Sequence, residues 1–135
     1  MIHVIMGLKG SGKTKKLIDS VNATAATAHG VVVCIEYGNK LTYDVKSSVR
    51  LVNSKEYGIS NSCMLKGFLS GLHAGNYDIT HVYIDNLDKT IGADRANGEE
   101  FILWCAQFAK ANDMEITLTV SDDPAEASEA IRQYL

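Results

Sequence analysis

Two spacings of apolar positions alternate along the chain. Ile2 to Met6 is a short, mainly apolar run that reads as a strand, and Gly7-Leu8-Lys9-Gly10-Ser11-Gly12 is a glycine-rich turn. Leu17, Ile18, Val21 and Ala25 then recur at three- and four-residue spacing, which predicts a helix from about Lys13 to Ala28 with one apolar face. Gly30 stands where a left-handed helix stop belongs. Val31 to Ile35 is a continuous β-branched run of the kind buried on both faces of a parallel sheet, with Glu36 at its end. Residues 37–61 are the least legible stretch, with Arg50-Leu51-Val52 read as a short strand inside it. Asn61 to Ala74 reads as a helix with Met64, Leu65, Phe68, Leu69 and Leu72 on one side, although Gly67 and Gly71 weaken it. His81 to Asp85 is the next strand, Gly98 to Ala111 a helix with Phe101, Trp104, Cys105 and Phe108 inward, and Ile116 to Val120 a further strand. Asp123-Pro124-Ala125-Glu126 opens a last helix, with Asp as cap, Pro in the first turn and Glu reaching back.

Strands that alternate with helices predict an α/β fold of three layers, a mostly parallel central sheet flanked by helices through right-handed crossovers. A length of 135 residues is one domain's worth, so residues 1–135 are read as a single domain. Loops are short except around 37–60 and 86–97. Hydrophobic residues at 46% and charged residues at 21% exclude a disordered chain. A net charge of −3 excludes a global basic field, so nucleic acid is not an expected partner, while a local basic patch is allowed. No apolar run reaches the roughly 18–20 residues a membrane helix needs, and no secretory leader is expected. Cys34, Cys63 and Cys105 are odd in number and form no CxxC, so neither a zinc ribbon nor a disulfide framework is indicated, and a reducing cytoplasm is the expected location.

Chemistry concentrates at Gly7-Leu8-Lys9-Gly10-Ser11-Gly12-Lys13-Thr14, which matches G-x-x-x-x-G-K-[ST], the phosphate-binding loop or Walker A motif. Its glycines permit left-handed backbone and close approach to phosphate. Successive backbone N–H groups form an anion nest at the start of the following helix, whose dipole favours negative charge. The predicted contacts are Gly7, Lys9, Gly10, Ser11, Gly12, Lys13 and Thr14, with Lys13 on the β- and γ-phosphates and the Thr14 hydroxyl on Mg²⁺.

Asp85 ends an apolar strand, the Walker B arrangement, and is the predicted second support for the metal. The position after it, where many phosphate-loop ATPases carry a Glu that activates water, is Asn86, which orients water but accepts no proton. Asp88, two residues on, is a candidate base, and so is Glu36 at a strand's carboxyl end. Arg50 and Arg95 are candidate phosphate contacts, with Arg95 in a polar loop suited to a lid. Thr119 and Ser121 end the last strand, where a polar side chain can sense the γ-phosphate. His3, His29, His73 and His81 show no metal spacing, and Tyr37 or Tyr43 is placed to stack on a base.

On these motifs the chain resembles P-loop NTPases across most of its length. Its order of Walker A strand, Val31–Ile35, Asp85 strand and Ile116–Val120 is similar to that of glutamate-bearing ATPases with an additional strand between Walker A and Walker B. Over residues 2–36 and 81–86 it looks like a stripped thymidine-kinase-type core, through Gly12-Lys13-Thr14, Lys16-Leu17-Ile18 and Val31–Ile35. That likeness implies ATP and Mg²⁺ but carries no thymidine over, because the zinc cysteines and the deoxynucleoside lasso have no counterpart. The whole chain also resembles small bacterial P-loop proteins, some of which carry the label twitching motility protein. The expected activity is Mg²⁺-dependent binding of ATP or GTP by a slow ATPase or ATP-dependent regulator, with a homo-oligomer or protein partner able to supply an arginine. The alternatives are a small-molecule kinase of nucleoside-kinase type and a module that binds nucleotide without turnover.

Overall fold

Five strands and five helices make up a computed structural model that describes residues 1–135. In chain order they are β1 (Ile2–Gly7), α1 (Lys13–Thr27), β2 (Val31–Glu36), β3 (Arg50–Asn53), α2 (Ser62–Gly75), β4 (Ile79–Ile84), α3 (Leu87–Ile91), α4 (Arg95–Ala111), β5 (Glu115–Ser121) and α5 (Glu129–Arg132). One-turn 3₁₀ segments lie at Ser54–Tyr57 and Pro124–Glu126. Every strand pair is parallel, in the order β1-β5-β4-β2-β3. The predicted mostly parallel sheet is therefore wholly parallel, and the connection through α1 passes over β5 and β4 before reaching β2.

Strand alternation divides the core in two. Val33, Ile35, Val82 and Ile84 face one side, where they pack with Leu65 and Leu69 of α2, Phe101, Ile102 and Cys105 of α4, and Ile131 of α5. Val32, Cys34 and Tyr83 face the other, against Leu17 and Val21 of α1. Leu41, Val45 and Val49 complete that second side, so residues 37–49 cover β2 without forming a helix. Leu41, Val45 and Val49 are spaced four apart, as on a helix, yet the segment runs through turns held by side-chain bonds. Glu36 accepts the amides of Lys40 and Leu41, each at 3.0 Å, and Asn22 on α1 joins the Asp44 carbonyl and the Lys46 amide at 2.8 and 2.9 Å.

Several local expectations need correction. Gly30 has no positive φ, and α1 ends instead at Ala28 in an extended conformation. A side chain at Gly30 would collide with the Thr80 methyl and come within 2.6 Å of the Asp78 carbonyl oxygen, so the glycine serves close packing of the α1–β2 turn on the start of β4. Asp123 does cap Ala125 at 2.9 Å, but only a single 3₁₀ turn follows, and α5 starts afresh at Glu129. The helix expected from Gly98 begins at Arg95, because Asp94 accepts the Ala96 amide and supplies the cap. The expected long loop at 86–97 contains α3, whose Leu87 and Ile91 are buried four residues apart. Met64, expected to face inward, is exposed.

Gly30→Ala is expected to lower stability by about 1–3 kcal/mol through overpacking alone, since no left-handed strain is involved. Urea denaturation checks this, and a midpoint equal to the wild type would reject the close-packing role.

Candidate functional site

The loop between β1 and α1 turns on two left-handed glycines, Gly10 at φ 84° and Gly12 at φ 86°. A Cβ at either would meet nothing within 4 Å, so backbone conformation and not crowding calls for glycine there. Gly7 differs, because its φ is ordinary but a Cβ would collide with the Ser11 hydroxyl. The loop is closed by the Ser11 amide donating to the Leu8 carbonyl at 3.1 Å, and the Lys13 ammonium donates to the same carbonyl, also at 3.1 Å.

Gly12 is the N-cap of α1, and no side chain caps the helix there. Its first turn holds no acid. The other two helices longer than ten residues are capped by Asn61 and Asp94. The first-turn amides of α1 are thus left without a side-chain acceptor beside Lys13, which is what an incoming anion requires. α1 is held in place further along by Tyr83 of β4. The phenol, buried from water, bonds the Thr24 hydroxyl at 2.7 Å and the Ser20 hydroxyl at 3.2 Å.

Across the loop stands Asp85, immediately after β4 and 8% exposed. Its Oδ1 accepts the Thr119 hydroxyl at 2.8 Å and lies 3.3 Å from the Thr14 hydroxyl. The Thr119 oxygen also accepts the Asn86 amide at 2.7 Å. Asn86 takes left-handed backbone, φ 60° and ψ 63°, a conformation that Asn tolerates better than most residues. This kink re-aims the chain into α3 and turns Asn86 towards the loop. Sequence reasoning placed Thr119 only as a sensor. Its position on β5, next to β4 in the sheet, makes it the main hydrogen-bond donor to Asp85.

Between these walls lies an open cavity of about 370 Å³ lined by Lys9, Gly10, Gly12, Lys13, Thr14, Lys15, Asn86, Thr119 and Ser121. None of them is hydrophobic and none is a carboxylate. Of the predicted loop contacts, Lys9, Gly10, Gly12, Lys13 and Thr14 line it, whereas Gly7 and Ser11 stand behind the turn.

The two candidate bases lie outside this lining. Asp88, in the first turn of α3, accepts the Ser121 amide at 3.3 Å and borders a smaller cavity of about 30 Å³ with Arg95 and Asp122. Burial pushes its carboxyl above the ordinary range and the Asp122 charge adds to this, while the Ser121 amide and the Lys13 charge pull it down. Glu36 is 4% exposed. Burial raises its pKa, and the Lys40 and Leu41 amides oppose the rise. The same surroundings push the Cys34 thiol up to about 12 through burial, then the charges of Asp85 and Glu36.

Arg95 is the first residue of α4 and grips Asp122 with two bonds of 2.7 and 2.9 Å. That pairing holds the Asp122 carboxyl below its ordinary range. The Asp122 amide in turn donates to the Gly7 carbonyl at 3.1 Å, so the arginine buttresses the root of the glycine loop. Arg50 is exposed on edge strand β3. His81 pairs with Glu115 at 3.0 Å and with the Thr80 hydroxyl at 2.8 Å, far from the loop in sequence and at the opposite, amino end of β4.

No protein-family model matches the chain, and no curated protein matches it.

Asp88→Asn keeps the acceptor for Ser121 and removes a charge that burial penalises. In the wild type the raised folded pKa means that the Asp88 contribution to stability is greatest below the free carboxyl pKa of about 3.9 and is lost as pH rises through the folded value. The variant lacks that decline, so its stability relative to wild type should be higher at neutral pH than in acid. Urea midpoints across the acidic range read this directly, and parallel pH profiles for the two proteins would contradict it.

Proposed function

We propose that the chain binds a nucleoside triphosphate with Mg²⁺ at the β1–α1 loop and acts as a slow ATPase or ATP-dependent regulator, as a P-loop NTPase does. The single observation that carries the reading is the meeting of Thr14 and Asp85. The hydroxyl of Thr14, which lines an entirely polar, lysine-bearing cavity, stands 3.3 Å from the nearly buried carboxylate that follows β4. Adjacent oxygens in an octahedral Mg²⁺ shell with ligand distances of about 2.1 Å stand about 3.0 Å apart, so the pair fits a cation with little movement. Thr14 and Asp85 would hold the cation, which would supply neutralising charge to a phosphate tail.

The chain's own groups have distinct tasks in this reading. The amides of α1's first turn, uncapped by any side chain, take phosphate oxygens. Lys13 exchanges its bond to the Leu8 carbonyl for the phosphate tail, which costs little because that carbonyl lies on the exposed loop. Thr119 keeps Asp85 and the Asn86 backbone in place. Asn86 is positioned to orient a water. Asp88, whose pKa is raised, stands outside the lining on the Ser121 amide and would receive that proton only through a further water. The base ATP or GTP carries is left open by the cavity, which is shaped around charge.

One observation favours a second reading, a module that holds nucleotide without turning it over: no carboxylate lines the phosphate cavity, and Asn86 occupies the wall where one would act. The kinase reading has less support. Both Glu36 oxygens already accept main-chain amides, so a substrate hydroxyl would compete with two bonds that order residues 37–41.

Calorimetric titration with ATP and GTP in the presence of Mg²⁺ should register binding, and the absence of heat with every common triphosphate would reject the proposal. Lys13→Ala is expected to abolish the nucleotide-dependent rise in Tm, and Asp85→Asn to remove mainly its Mg²⁺ dependence. Phosphate release without an added acceptor separates the ATPase from the module, and ADP formed only with a nucleoside present would move the assignment to the kinase.

A further inference from the structure

Charge is divided unevenly along the chain. Residues 1–55 carry eight Lys and Arg against three Asp and Glu, and residues 56–135 carry five against thirteen. The net charges are therefore about +5 and −8, hidden within an overall −3. The two parts interleave in the sheet, but their long helices lie on opposite faces. The basic part is β1, α1, β2, the 37–49 segment and β3, and the helices of the other part, α2, α4 and α5, pack on the opposite face of the sheet.

Within the basic part, Lys15 and Asn22 lie seven residues apart and so share one side of α1. Asn22 joins that side to the 37–49 segment through Asp44 and Lys46. Exposed Lys40 and Lys46 flank Tyr43, whose side chain is 99% exposed. Beyond them, on the turn after β3, Lys55 is exposed, and its ammonium lies 5.8 Å from the centre of the half-exposed Tyr37 ring. Three exposed acids, Asp19, Asp44 and Glu56, lie on or beside this surface, and Asp19 is paired with Lys15 at 3.3 Å. Between residues 37 and 55 the large exposed apolar side chains are tyrosines only, with no aliphatic group to enter a lipid layer.

We propose that this face binds single-stranded nucleic acid. Phosphates would run along the lysines, and Tyr43 would supply a ring on which an unpaired base stacks. A ring fully in water gains area by stacking at no cost to the protein's own packing, and a duplex, whose base faces are already covered, offers it nothing. The platform is pre-ordered by buried Leu41, Val45 and Val49 and by the Glu36 and Asn22 bonds, so little backbone entropy is lost on binding. The acidic opposite half repels the strand and so limits it to one side. The proposal does not depend on nucleotide binding at the β1–α1 loop.

Fluorescence anisotropy with a labelled oligothymidylate at graded salt tests it. We expect affinity to fall with salt along a log–log slope of about −3, as four single-strand phosphate contacts imply. The double variant Lys40→Glu, Lys46→Glu should lose at least about tenfold in affinity and about 1.4 in that slope. Tyr43→Ala should lose about tenfold with an unchanged Tm, which a ring so exposed permits. Lys13→Ala should leave oligonucleotide binding unchanged even where it abolishes triphosphate binding. The proposal is overturned if the oligonucleotide fails to bind at low salt, if a duplex binds as tightly and Tyr43→Ala has no effect, or if Lys13→Ala removes binding. It is equally overturned if phosphatidylserine vesicles bind while the oligonucleotide does not, or if the basic face is instead met by the acidic half of a second copy, seen as low-salt self-association without oligonucleotide binding.

Discussion

A carboxylate that is almost shut off from water needs donors, and meeting the need of Asp85 organises the carboxyl end of the sheet. Its partners come from two other elements, Thr119 on β5 and Thr14 on α1. The Thr119 hydroxyl gives its proton to Asp85 and accepts the Asn86 amide, so one oxygen fixes both the acid and the kinked backbone after it. A buried acid deprived of its donor costs roughly 1–3 kcal/mol or more, and the geometry has few alternatives to offer it. The spacing between the glycine loop and β4 follows from these bonds, with the Tyr83 phenol repeating the same logic nearly three turns further along α1, at Thr24.

The arrangement also explains why the cavity is polar without being acidic. The nearby carboxylates are each engaged elsewhere: Asp85 with two threonines, Asp88 with the Ser121 amide, Glu36 with the 40–41 amides and Asp122 with Arg95. Negative charge is turned away from the loop, and Lys9, Lys13 and Lys15 face it. Binding an anion there meets positive groups and open amides first. The same economy recurs at larger scale in the separation of a basic from an acidic half.

The sheet was legible in the sequence because buried parallel strands write apolar, β-branched runs: Val31–Ile35 is continuous and Ile116–Val120 is broken only by threonines. α1 and α2 were legible through three- and four-residue spacing, and the glycine loop through its motif. What escaped is governed by contacts distant in sequence. Gly30 reads as a helix stop from its neighbours, but Thr80 and Asp78 decide its role. The 37–49 segment is shaped by Glu36 and Asn22 and not by propensity. Thr119 became a partner of Asp85 only once strand order put β5 beside β4. The short α3 followed from a left-handed Asn86, for which the only local sign is that Asn suits that conformation.

β1 lies at the edge of the sheet, and its one strand partner is β5. Its Val4 amide is taken by the carbonyl of Tyr134, the penultimate residue. The strand that leads into the glycine loop is therefore shouldered by segments more than a hundred residues away along the chain. During synthesis β1 must wait, unpaired and apolar, through more than a hundred residues, which makes it the point where a nascent chain is most open to misassembly and to chaperone capture.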